Sequence, residues 1–249
     1  MKRFPALFLG ALILLSGIAC SDNPPTPTRS DAAATVGAIG PGTRSQVLEL
    51  LEETLLDPED LGADWEQYFS ATTLDDVILV PDDATGCAAG DLPIEVDADL
   101  KPLLELVAFR ELQRIDLDAA AAETQPLIVS QYVAYAPAPF SLASLPDMDG
   151  CEWEDDPGEG PAFRWKVESR PAPELGDDAL AYRVTGTAGR ISVAGDVTYV
   201  LDGVAFLAIA VVGANPSGEF TGDEVTRQAA GQVAAVAGEL RDAVMPFAP

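Results

Sequence analysis

Two hydrophobic rhythms organise this chain. Leu180, Tyr182 and Val184, then Ile191, Val193, Val197, Tyr199 and Leu201, fall on alternating positions. A period of two belongs to strands with one face buried. Asp202-Gly203 follows, and glycine accepts the positive φ that a tight hairpin turn requires. The return segment 204–212 is apolar throughout, which predicts a strand buried on both faces and central in its sheet. Beyond it the rhythm changes. Val225, Ala229, Val233, Val236, Leu240 and Val244 trace one helical face, and Thr221 with Glu224 forms a capping-box pattern ahead of them. This helix should pack across the sheet.

Upstream, Val47, Leu48, Leu51 and Leu55 mark the apolar face of a helix over 44–56, ended by Asp57-Pro58. A short second helix over 58–64 is predicted, with Pro58 tolerated at its first position. Residues 76–80 read as a short strand ended by Pro81-Asp82-Asp83. Segments 103–115 and 126–135 also read as strands, the second rich in β-branched and aromatic residues. No repeat period occurs. Strands adjoining in sequence with helices at both ends predict an α+β fold, an antiparallel sheet of about five or six strands with N-terminal helices and a long C-terminal helix packed on it.

The N-terminus has a different logic. Lys2 and Arg3 precede an apolar run from Ala6 to Leu15, and the small residues Ser16, Gly17 and Ala19 stand just before Cys20. This is the layout of a signal peptide, and its apolar run is too short to span a membrane. Leu15-Ser16-Gly17-Ile18-Ala19-Cys20 resembles a bacterial lipobox, which implies acylation of Cys20 and a lipid anchor at the outer face of the bacterial cytoplasmic membrane or elsewhere in the cell envelope. The chain departs from that pattern at Gly17, where leucine is usual. Gly17-Ile18-Ala19 also suits an ordinary signal peptidase, so secretion without acylation is the alternative. Residues 21–43 are rich in Pro, Ala, Gly, Thr and Asp and hold almost no large apolar side chain, the composition of a tether. The expected organisation is a signal peptide over 1–19, a lipidated cysteine and tether over 20–43, and one domain over 44–249.

Composition narrows the chemistry. Of three cysteines, acylation of Cys20 would leave Cys87 and Cys151 to pair in an oxidising compartment. Such a bridge would close a long loop, worth roughly 4 kcal/mol by the chain-entropy argument. The formal charge is −27, and loss of Lys2 and Arg3 makes the mature chain more negative still. Nucleic acid and anionic headgroups are poor partners for such a surface. No histidine occurs, which excludes Ser-His-Asp and Cys-His catalysis and histidine-ligated zinc. Gly186-Thr187-Ala188-Gly189 is expected to form a turn between strands, whereas phosphate binding needs a following helix N-terminus. No cofactor is expected.

The stretch 147–159 is dense in acids: Asp147, Asp149, Glu152, Glu154, Asp155, Asp156 and Glu159 surround Cys151. Read as a calcium loop, it puts Leu145 at the first ligand position and lacks the closing glutamate. A solvated loop is the better reading, with no metal. Trp153, Phe163 and Trp165 stand nearby, and aromatic rings beside carboxylates can bind sugars or cationic ligands, or simply pack around a disulfide. Paired carboxylates could hydrolyse a glycosidic bond, but nothing in the sequence singles out a pair.

Several segments together resemble a known group. They are Leu55-Leu56-Asp57-Pro58-Glu59-Asp60-Leu61, the stretch Val129-Ser130-Gln131-Tyr132-Val133-Ala134-Tyr135, Cys151 beyond it, and Gly176-Asp177-Asp178-Ala179-Leu180-Ala181-Tyr182-Arg183 leading into a hairpin and the last helix. The pattern is similar to the extracellular sensor-type domains of actinobacterial envelope proteins, found on serine/threonine kinases and on free lipoproteins. The resemblance implies an α+β fold with a disulfide and a solvated cleft, and sensing of a ligand or partner without catalysis. This chain departs from it by lacking a second cysteine pair, a transmembrane helix and a kinase, so a lipoprotein of this kind would act through a partner. The expected function is binding of a small molecule or an envelope protein. Three alternatives stand beside it: a carboxylate-dependent hydrolase, a structural accessory of an envelope complex, and a carrier of an apolar ligand, for which Ala229, Ala230, Ala234, Ala235 and Ala237 either leave room or permit close packing.

Overall fold

The apolar run after Gly203 takes the middle of an eight-stranded antiparallel sheet. The structure is a computed structural model that describes residues 41–72, 104–114, 127–137, 141–145, 147–154, 162, 164–189, 191–213 and 222–244. Its elements are α1 (Pro41–Glu53), α2 (Pro58–Leu61), β1 (Trp65–Ala71), β2 (Leu106–Arg114), β3 (Ile128–Tyr135), a 3-10 turn (Leu142–Ser144), β4 (Glu152–Glu154), β5 (Arg164–Arg170), β6 (Asp178–Ala188), β7 (Ile191–Asp202), β8 (Ala205–Gly213) and α3 (Asp223–Val244). The strand order is β1-β2-β3-β8-β7-β6-β5-β4, so the last strand closes the gap between two meanders. β8 is buried at every residue but Val212.

The α+β class holds, and the expected strand count is corrected from about five or six to eight. The strands not anticipated are β1, β4 and β5. β1 lies at an edge, and its burial does not alternate. β4 has only three residues. β5 alternates for its first five residues only, and its buried positions hold Trp165 and Val167 among charged neighbours. The strand expected at 76–80 and the cap residue Thr221 lie outside the described residues. Helix bounds also move. α1 starts at Pro41, where proline costs little because a first-turn N–H has no helical partner. It stops short of Thr54, whose hydroxyl donates to the Leu51 carbonyl at 2.7 Å. α2 is a single turn ending at Gly62, which lies at φ 121°.

Each sheet face carries its own core. On the helix face Val47, Leu51 and Leu56 from the N-terminal segment meet Ala229, Val233 and Leu240 of α3 over Leu112, Val133, Leu207 and Ile209. Fully burying an aliphatic side chain such as Leu51 contributes about 1.5–3 kcal/mol. The second face is aromatic: Tyr132, Trp165, Tyr182, Tyr199 and Phe206 pack with Leu142 and Cys151. The tight turn between β7 and β8 places Gly203 at φ 60°, and its N–H donates to the Asp177 carboxylate at 2.9 Å.

Two polar clasps fix the helices to the sheet. Arg110 on β2 donates to the Leu55 and Leu56 carbonyls at 3.3 and 3.1 Å and pairs with Asp57. Its cross-strand neighbour Gln131 donates to the Leu56 carbonyl at 3.1 Å. These donors satisfy carbonyls of the segment that joins α1 to α2. At the other end of the layer, buried Asp196 on β7 meets Arg170 at 2.5 Å and Arg183 at 2.6 Å and accepts the Gly222 N–H at 2.7 Å. That last bond holds the chain at the start of α3.

Candidate functional site

The sequence-expected aromatic residues are found on β4 and β5. Trp153 and Trp165 are register partners and stack with centroids 6.2 Å apart at 21°. Phe163 lies outside the described residues. The pair packs with the second-face core that contains Cys151, as an aromatic wall at one side of the sheet. Cys151 is buried and disulfide-bonded. Cys87 and Cys20 lie outside the described residues.

The acidic loop is a structural turn where it is described. Asp147 accepts the Asp149 N–H at 3.0 Å, and Asp149 accepts the Ser169 N–H at 2.6 Å. The Ser169 donation is the largest cause holding the Asp149 carboxyl below its ordinary value. Glu154 pairs with Arg164 at 3.4 Å. No group of three or more metal-ligating side chains forms among the described residues.

A different cluster combines exposed aromatic surface with a perturbed carboxyl, and it lies at the opposite side of the same face. It starts from an irregularity in β1. The register with β2 shifts between Gln67 and Phe69, so Tyr68 sits in a bulge and Phe69 pairs with Glu111. Without the extra residue, strict alternation would send Phe69 to the helix face. With it, Phe69 reaches the second face and packs against Phe109, centroids 5.7 Å apart at 54°. Phe69 remains 44% exposed.

Glu111 stands beside this pair. Across β3 the Ser130 hydroxyl donates to its carboxylate at 3.0 Å. Burial pushes the Glu111 carboxyl above its ordinary value, and the Ser130 bond pulls it partly back. Next along the face Tyr132 is register partner to Phe109 and packs on Phe206, centroids 5.7 Å apart. Phe206 in turn stacks on Tyr199 at 6.1 Å and 16°, and Tyr199 meets Tyr182 edge-on at 6.4 Å. The Tyr132 hydroxyl is buried with no hydrogen-bond partner. Burial, followed by the neighbouring Tyr199, pushes its pKa well up.

The arrangement offers flat apolar contact, one half-buried carboxyl and a row of aromatic rings behind it. It can hold an apolar or cationic group against Phe69 and Phe109 with Glu111 as the polar anchor. Phe69, Phe109 and Glu111 escaped the sequence reading. The available signal was Glu111 itself, a lone acid on the alternate of β2 that also carries Val107 and Phe109.

No protein-family model matches this chain, and no curated protein matches it. Among solved structures it is similar to the extracellular domain of PknH from Mycobacterium tuberculosis, at 11% sequence identity and a TM-score of 0.54, over 77% of this chain and 96% of that one. The two share a fold. At this identity the likeness extends to the α+β architecture alone. No helix among the described residues is long and apolar enough to cross a membrane.

Proposed function

We propose that this protein is a lipid-anchored domain of the bacterial cell envelope that binds a ligand or partner protein without catalysis, and that Phe69, Phe109 and Glu111 form its contact surface. The observation that carries the reading is Glu111: a half-buried carboxyl, raised by its surroundings, directly beside aromatic surface left open to solvent. Perturbed carboxyls collect at functional sites, because burying one costs stability that a structural role seldom needs. The lipobox-like segment ending at Cys20 supports anchoring. The fold shared with the extracellular domain of a mycobacterial kinase supports a place outside the cytoplasmic membrane and a sensing role. A Cys87–Cys151 bridge belongs to the same proposal, and it would tie the segment before β2 to the loop that precedes β4.

The test is site-specific photo-crosslinking in intact cells, with the reactive side chain placed at Phe109 and, as a control, at exposed Glu239 on α3. Native mass spectrometry of the envelope-derived chain is run beside it. Adducts at position 109 and not at 239, or an excess mass lost on denaturation, support binding at this face. Equal crosslinking at both positions together with no excess mass would refute it.

A further inference from the structure

β1 is the end of the sheet, and among the described residues it pairs with β2 alone. An edge strand turns alternate backbone N–H and C=O groups outward without partners. Every residue from Glu66 to Ser70 is exposed, and Tyr68 and Phe69, at 45% and 44%, are the most exposed large hydrophobic side chains among the described residues. The charge around the strand is negative on balance. Between Ser45 and Thr72 the chain has eight carboxylates and no lysine or arginine. All of those carboxylates are exposed. Arg110 and Arg114 of β2 reach two of them, Asp57 and Asp64.

We propose that the outer edge of β1 takes up an extended segment of another protein as an added antiparallel or parallel strand, one in which lysine or arginine alternates with apolar side chains. The inference rests on the partner-binding reading above and names the class of partner. The two faces of β1 dictate the alternation. On the second face the added strand would lie beside Phe69, which packs on Phe109, and this suits apolar side chains. On the helix face α2 packs against β1, carrying exposed Glu59 and Asp60, which suits basic ones. Successive side chains of a strand point to opposite faces, so one segment satisfies both requirements. A second copy of this chain is the poorer occupant. Self-pairing would bring Glu66 and its acidic neighbours against their own copies, and like charges across a strand pair repel.

The experiment uses the intact chain and three capped nonapeptides: alternating lysine and valine, the same with glutamate for lysine, and the lysine peptide interrupted by a central proline. Amide hydrogen exchange reads where each one binds. The lysine–valine peptide should slow exchange at residues 66–70 by about tenfold or more, while the other two leave it unchanged. The exposed pair Tyr68→Ala, Phe69→Ala should weaken that protection several-fold. Equal protection by the proline peptide would mean charge attraction alone and would overturn the proposal. So would protection elsewhere, or none. Protection of 66–70 that grows with protein concentration without any peptide would assign the edge to a second copy instead. If the peptide experiment fails while crosslinks at position 109 persist, the binding surface stands and the edge-strand mode falls. If both fail, the reading beneath it falls too.

Discussion

Arg183 and Asp196 face each other across β6 and β7, with the guanidinium Nε 2.6 Å from the carboxylate. Arg170 from β5 reaches the same oxygen, and the other oxygen accepts the Gly222 N–H. One buried carboxylate thus joins three strands to the start of α3. Asp196→Ala would leave two guanidinium groups beside an empty position and free an amide. The expected loss is about 3–5 kcal/mol of unfolding free energy, measured by urea denaturation. A loss under 1 kcal/mol, the range of exposed ion pairs, would show that solvent compensates the arginines.

Glu111 sets a pH dependence of opposite sign to that of a salt-bridged acid. Burial holds its carboxyl above the ordinary 4.5, so the folded chain keeps the proton where the unfolded chain has lost it. The stability tied to this group is fully present below about pH 4.5 and is lost as the pH rises through the folded value. Glu111→Gln keeps an acceptor for Ser130 and cannot ionise. Its unfolding free energy should therefore fall less than the parent's from about pH 4.5 upward, as read by urea titrations across that range. An equal fall in both proteins would remove Glu111 as the cause.

The Tyr132 hydroxyl is fully buried without a partner, and a buried donor left unmade costs about 1–3 kcal/mol. Tyr132→Phe should consequently leave stability unchanged or raise it by about 1 kcal/mol, seen as an equal or higher melting temperature. A marked loss would reveal that the hydroxyl is hydrogen-bonded in solution, to water or to a bound molecule.

Gly186 lies under the Trp165 ring, and a Cβ there would come within 2.5 Å of it. Gly186→Ala must push the indole aside and disturb its stack on Trp153. The expected cost is about 1–3 kcal/mol, together with a change in the tryptophan near-ultraviolet circular dichroism. An unchanged spectrum would mean that the backbone of β6 yields instead.

The legible part of this fold was the part whose burial is regular. β6 buries an alternation from Tyr182 to Ala188, β8 an unbroken apolar run and α3 a helical stripe, and the residues show those periods directly; β7, whose large apolar side chains alternate in the sequence, is instead buried on both faces from Ala194 to Leu201. β1 hides for the opposite reason. Trp65 is its one buried residue, and the bulge at Tyr68 breaks the phase between Gln67 and Phe69. The candidate site shares that cause, because the bulge is what turns Phe69 toward Glu111. Trp153 and Trp165 could be flagged from composition near the acidic loop, but their stacking depends on the register between β4 and β5. The clasps of Arg110 and Asp196 join residues far apart in the chain, which no local pattern encodes.

The place of β8 has a consequence for synthesis. β3 and β7, its two neighbours, cannot be bridged until residues 205–213 arrive, near the end of the chain. A chain that grows from its N-terminus therefore holds two incomplete meanders with no shared core until then. Contacts of such long sequence separation form slowly. The late closing strand makes residues 205–213 the latch that joins the two halves of the sheet.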